Sequence, residues 1–188
     1  MKLRKILLLV CFTCAVVYVI KECRHYFIPK RFAVVEVGQI YRGGWQTPRV
    51  LRRILAKHRI NTLLNVACKP DEPDAAGEGP VVRDLDVTWK KILMPGTGLG
   101  TLEQLDEAAD IIANPHNRPI FVHCAAGVHR TNMAIAAYRL KHCGWSLDAA
   151  LDEMAHYGYD RANDLDKANL LREFMQYAEQ SPAGSATD

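Results

Sequence analysis

The 188 residues are 49% apolar and 24% charged, ordinary proportions for a globular chain long enough for one domain with a proper core. The formal charge of +3 is unevenly placed: residues 1–31 hold seven Lys and Arg against one acid, leaving 17 basic and 20 acidic residues, a net of −3, for the rest. A slightly acidic body argues against nucleic acid as a partner.

Lys2, Arg4 and Lys5 precede an uncharged apolar run over residues 6–20, and Lys21, Glu22, Arg24, Lys30 and Arg31 follow it. As a helix such a run spans about 22 Å, short of a hydrocarbon core of about 30 Å. It is a signal-peptide core or a short anchor. No small-x-small cleavage site or lipoprotein box accompanies it, so it reads as an uncleaved, single-pass membrane anchor. The charge clusters at both ends argue against a buried helix. Residues 26–31 read as a linker stopped by Pro29, which divides the chain into anchor and linker (1–31), folded domain (32–180) and disordered tail (181–188).

Residues 32–37 read as a strand, and 39–44 (Gln-Ile-Tyr-Arg-Gly-Gly) as a second one ending in a glycine turn. Thr47 and Pro48 open a basic amphipathic helix to Lys57, buried along Val50, Leu51, Ile54 and Leu55. Its Arg49, Arg52, Arg53 and Lys57 read as a solvated face rather than a lipid-binding one. Residues 62–67 form the next strand, 68–80 an acidic loop rich in Pro and Gly, and 87–94 a further strand. Residues 95–100 (Pro-Gly-Thr-Gly-Leu-Gly) lack the lysine of a nucleotide phosphate loop and read as a mobile flap. Thr101 and Gln104 make a capping box for a helix over 102–113.

The apolar run Pro119-Ile120-Phe121-Val122 then leads into His123-Cys124-Ala125-Ala126-Gly127-Val128-His129-Arg130-Thr131 and a helix-like stretch. Strand, tight loop, helix turns consecutive backbone N–H groups into an anion cradle. A cysteine at its entry faces those amides and the positive helix end, which lowers the thiol pKa. Arg130 offers a planar fork for two phosphoryl oxygens. Gly127 lets the loop adopt a conformation closed to other residues, and Thr131 can hydrogen-bond the sulfur. After this helix closes at Gly144, Ser146 caps another to Tyr157, and a last helix covers 164–178. Six cysteines (Cys11, Cys14, Cys23, Cys68, Cys124 and Cys143) show no metal-ligand or disulfide-framework spacing, so no metal or cofactor is implied.

His-Cys, five residues, Arg-Thr resembles the signature of the protein tyrosine phosphatase superfamily. The stretch Val-Glu-x-Gly-x-Ile-Tyr-Arg-Gly-Gly, with the helix and strand after it, is similar to its atypical dual-specificity branch over residues 32–177. The resemblance implies an α/β fold, a central sheet flanked by helices, and hydrolysis of phosphate monoesters, on a phosphorylated protein or a small phosphoester, through a cysteinyl-phosphate. It implies Cys124 as nucleophile, and Arg130 with the amides of Ala125, Ala126, Gly127, Val128, His129 and Arg130 as phosphate ligands. His123 would position the thiolate, and Thr131 would assist breakdown of the intermediate. The family's general acid would fall in residues 95–98, where no carboxylate stands. Asp71, Asp74 and Asp106 are the displaced candidates, with Glu72 and Glu103 behind them, and catalysis without an acid is the alternative. A phosphate-binding pseudophosphatase and a rhodanese-like sulfurtransferase are the competing classes; rhodanese loops usually enclose fewer residues before the arginine.

Overall fold

A computed structural model describes residues 12, 13, 18, 27–67 and 77–180. Five strands order as β1-β2-β5-β3-β4: β1 Ala33–Glu36, β2 Ile40–Gly44, β3 Thr62–Asn65, β4 Thr88–Lys91 and β5 Ile120–Cys124. Only the β1–β2 pair is antiparallel; β2–β5, β5–β3 and β3–β4 run parallel. Among the described residues six α-helices appear in chain order: α1 Pro48–His58, α2 Glu78–Asp84, α3 Leu102–Ala113, α4 His129–Cys143, α5 Leu147–His156 and α6 Leu165–Gln180.

Side-chain alternation along the strands divides the core. Tyr41, Leu63 and Phe121 face Leu51 and Leu55 of α1 and Val81 and Val82 of α2. Ile40, Leu64, Ile120 and Val122 face the larger layer, with Leu105 and Ile112 of α3, Met133 to Leu140 of α4, Leu151 of α5 and Phe174 of α6. Helix α4 is buried on all sides from Thr131 to Arg139, so the residues entering it from β5 sit in a rigid frame. The expected α/β sheet flanked by helices is present.

Three local expectations change. Strand β3 stops at Asn65 instead of residue 67, because the Asn65 Oδ1 accepts the Ala67 N–H at 2.9 Å and turns the chain. Strand β4 shortens with it to Thr88–Lys91, although the amides of Ile92 and Met94 still reach the carbonyls of Asn65 and Val66. Helix α2 begins inside the stretch read as loop. Its Pro80 stands in the first turn, where a missing N–H costs no intrahelical bond, and burial of Val81 and Val82 stabilises the helix against weak propensity.

The apolar run at residues 6–20 lies almost wholly outside the described residues. No helix among those described is long and apolar enough to cross a membrane. The tail at 181–188 also lies outside them.

Candidate active site

The loop after β5 rests on the end of β2. Gly127 has φ +76°, and a Cβ there would stand 2.5 Å from the Gly43 carbonyl carbon and the Gly44 nitrogen. A Cβ on Gly44 would stand 2.8 Å from the Ala126 oxygen. Two backbones therefore approach as closely as glycine on both sides allows. The Trp45 N–H donates to the Ala125 carbonyl at 3.2 Å, closing the contact.

Cys124, the last residue of β5, is 2% exposed. The Gly127 N–H donates to its sulfur at 3.2 Å. Burial by itself would raise the thiol pKa. The polar groups of Thr131 beside the sulfur, the Gly127 N–H and the charge of Arg130 outweigh it and bring the pKa below the ordinary 9.0. Helix α4 starts at His129, so Arg130 and Thr131 belong to its first turn and the positive helix end adds to the field. Asn132 donates from Nδ2 to the Met154 carbonyl at 3.1 Å and ties this turn to α5.

On the α1/α2 side of the sheet, His123 stacks on Phe121 with ring centroids 5.5 Å apart. Its Nε2 lies 3.4 Å from Oε1 of Glu78. The other oxygen of Glu78 accepts from Asn65 Nδ2 at 2.9 Å. Burial lowers the imidazole pKa against the pull of Glu78 and of the Cys124 backbone. Glu78 was hidden in the sequence as one more acid of a solvated loop.

A cavity of about 400 Å³ opens beside the loop, lined by Arg130 and by Leu93, Met94, Pro95, Leu99 and Gln104 among others. Just before the flap at residues 95–100, the Leu93 carbonyl accepts from Gln104 Nε2 at 2.8 Å. Gly98, at φ +89°, lies against the backbone of His129. The flap carries no carboxylate. Asp106 sits on α3, where it pairs with Lys141 of α4 at 2.6 Å. Lys141 also binds Asp110 at 2.7 Å, so Asp106 is held in a helix–helix ion-pair cluster. Asp71 and Asp74 lie outside the described residues. Among the described residues no group of three His, Cys, Asp or Glu side chains is placed to hold a metal ion.

Arg42 of β2 was also missed in sequence. It is fully buried, with its guanidinium 3.9 Å above the Tyr157 ring and Nη2 donating to the Gly127 carbonyl at 3.1 Å. An arginine pointing to the core face of the run Ile-Tyr-Arg-Gly-Gly was the available signal, since a buried cation requires partners.

A model of the tyrosine phosphatase family matches residues 26–186. Inositol diphosphatase SIW14 of Saccharomyces cerevisiae is 40% identical over 63 residues, 34% of this chain and 22% of that protein. Dual specificity protein phosphatase TpbA of Pseudomonas aeruginosa is 34% identical over 117 residues, 62% of this chain and 50% of that protein. The chain thus spans half or less of the length of these two curated relatives. The solved catalytic core of the yeast protein, in complex with citrate, shares the fold with a TM-score of 0.64 and 21% identity, over 81% of this chain and 93% of that one. The chain belongs to the tyrosine phosphatase family.

Proposed function

We propose that this family member hydrolyses phosphate monoesters or diphosphates through a cysteinyl-phosphate at Cys124. The contact of Gly127 N–H with the Cys124 sulfur, 3.2 Å, within a pocket that favours the thiolate, carries the reading. The sulfur attacks phosphorus and the bond to the leaving oxygen breaks, that oxygen keeping the electron pair. Water then attacks phosphorus, the S–P bond breaks, and inorganic phosphate leaves. Arg130 and the loop amides stabilise the equatorial charge in both steps, and Thr131 supports the departing thiolate.

The carboxylate-free flap supports substrates whose leaving group needs no proton: aryl phosphates, or a diphosphate whose terminal phosphoryl group is taken by the sulfur while the remaining phosphate monoester leaves with the electron pair. The yeast relative is an inositol diphosphatase, in keeping with the second class. Residues 6–20, in this reading, hold the enzyme to a membrane by a short N-terminal anchor; detection of the full chain only in the soluble fraction of lysed cells would remove that part.

The deciding experiment presents the full chain with a phosphotyrosine peptide, an inositol diphosphate and thiosulfate. Phosphate release that disappears in Cys124→Ser is expected. Sulfur transfer from thiosulfate would favour the sulfurtransferase class, and oxyanion binding without turnover would favour the pseudophosphatase.

A further inference from the structure

We infer that Lys30, Arg31 and Arg42 are positioning residues of the phosphate cradle, each clamping one of three consecutive peptide planes so that the amides of Ala126, Gly127 and Val128 face the oxyanion. This rests on the phosphatase reading of the Cys124 loop. Lys30 Nζ donates to the Ala125 carbonyl at 3.0 Å, Arg31 Nη1 to the Ala126 carbonyl at 3.0 Å, and Arg42 Nη2 to the Gly127 carbonyl at 3.1 Å. In a trans peptide the C=O and the following N–H point in opposite directions. A cation that fixes a carbonyl on the outer side of the loop therefore aims the next amide inward. The middle plane displays the result: Arg31 holds the Ala126 oxygen, and the Gly127 amide of the same plane donates to the Cys124 sulfur at 3.2 Å.

The cations are themselves held. Gln46 brackets the Lys30 backbone, accepting its N–H and donating to its carbonyl, both at 2.9 Å, and the Gly44 N–H also reaches the Lys30 carbonyl at 2.9 Å. Arg31 has φ +48°, a conformation costly for a residue with a side chain and kept only where neighbours impose it. That turn sends two successive side chains to two successive carbonyls. Arg42 reaches the third from the buried side, resting on Tyr157. Burial lowers its pKa to about 10, which leaves it charged at neutral pH.

Two consequences follow. Charged donors bind carbonyls more strongly than neutral ones and polarise the peptide, strengthening the inward amide as a donor. The working unit also begins before Phe32: a chain cut there loses two of its three clamps.

The test uses the full chain, with inorganic tungstate as oxyanion probe and the pH dependence of Cys124 alkylation by iodoacetamide as thiol probe. Lys30→Met and Arg31→Asn are expected to weaken tungstate binding, read by calorimetry, roughly tenfold together, less if solvent screens the exposed pair. Both should move Cys124 alkylation to higher pH, and Lys30→Arg should restore it. Asparagine tolerates the left-handed backbone, so Arg31→Asn removes the guanidinium alone. Arg42→Met should lose more, roughly a hundredfold; should it fail to fold, the Lys30 and Arg31 variants still decide. Wild-type tungstate affinity and alkylation profile in the Lys30→Met/Arg31→Asn double variant would overturn the clamp. A wild type that binds tungstate but hydrolyses no ester would overturn the phosphatase reading and leave the clamp standing.

Discussion

His123 and Glu78 meet 3.4 Å apart, Nε2 to Oε1, with both side chains almost fully buried. The contact couples the residue before the nucleophile to the first residue of α2, a helix that begins inside the stretch read as an acidic loop. Burial holds His123 below its ordinary pKa of 6.5. The folded protein therefore takes up this proton only at lower pH, while the unfolded chain takes it up near 6.5. Between the two values the unfolded state binds more protons, so this group makes stability fall as pH drops below about 6.5. Imidazole signals of His123 in an NMR titration should move only below that value, and Glu78→Gln should push the midpoint lower still. A midpoint at or above 6.5 would contradict the assignment.

Removing Glu78 also leaves Asn65 without its acceptor. Glu78→Ala should cost on the order of 2 kcal/mol of stability, as removal of a buried acceptor does. Urea unfolding measures it, and a change within a few tenths of a kcal/mol would mean that the contact contributes little.

Cys124→Ser should abolish turnover and keep oxyanion binding, because a serine hydroxyl is not ionised at neutral pH. Arg130→Lys should be severely impaired as well, since a point charge cannot replace the bidentate fork. In the wild type, kcat/KM should rise with pH as the thiolate forms, with its acidic limb below the ordinary thiol value of 9.0. Near-normal activity in Cys124→Ser, or a limb at or above 9.0, would sink the thiolate mechanism.

Gly127→Ala should displace the loop, since the new carbon would stand 2.5 Å from the backbone of β2. Activity should fall at least a hundredfold, the scale of losing an oriented oxyanion donor. Gly144→Ala is the control: it shares a positive φ of 66° but meets nothing within 4 Å. Equal loss of activity in both would show that backbone strain matters more than the close approach.

Rates on a graded series of aryl phosphates should depend steeply on leaving-group pKa. The flap at 95–100 has no carboxylate, and Asp106 is engaged with Lys141 at 2.6 Å. A flat dependence would require an acid, and Ala substitutions at Asp71, Glu72, Asp74, Glu103 and Asp106 would then find the one that makes it steep.

The sequence by itself displayed the residues of the loop and most of the elements. The cysteine, glycine, arginine and threonine stand next to one another in the chain, and local spacing is what a sequence displays. The same holds for the helix over 102–113, whose Thr101–Gln104 capping box is present, and for the stop at Gly144, which lies in the left-handed region. Tertiary structure alone decided what surrounds that loop. Lys30 and Arg31 reach carbonyls 95 residues away and Arg42 one 85 residues away, while Glu78 reaches His123 from the helix packed on that side of the sheet. In sequence these are a linker, a strand charge and a loop acid. Lys30, Arg31 and Arg42 come within reach of the loop because parallel pairing of β2 with β5 puts Gly43 beside His123 and Gly44 beside Cys124, and α2 delivers Glu78. Such long-range pairing leaves no periodic trace, and a buried cation such as Arg42 or a buried acid such as Glu78 needs a partner because burial denies it water.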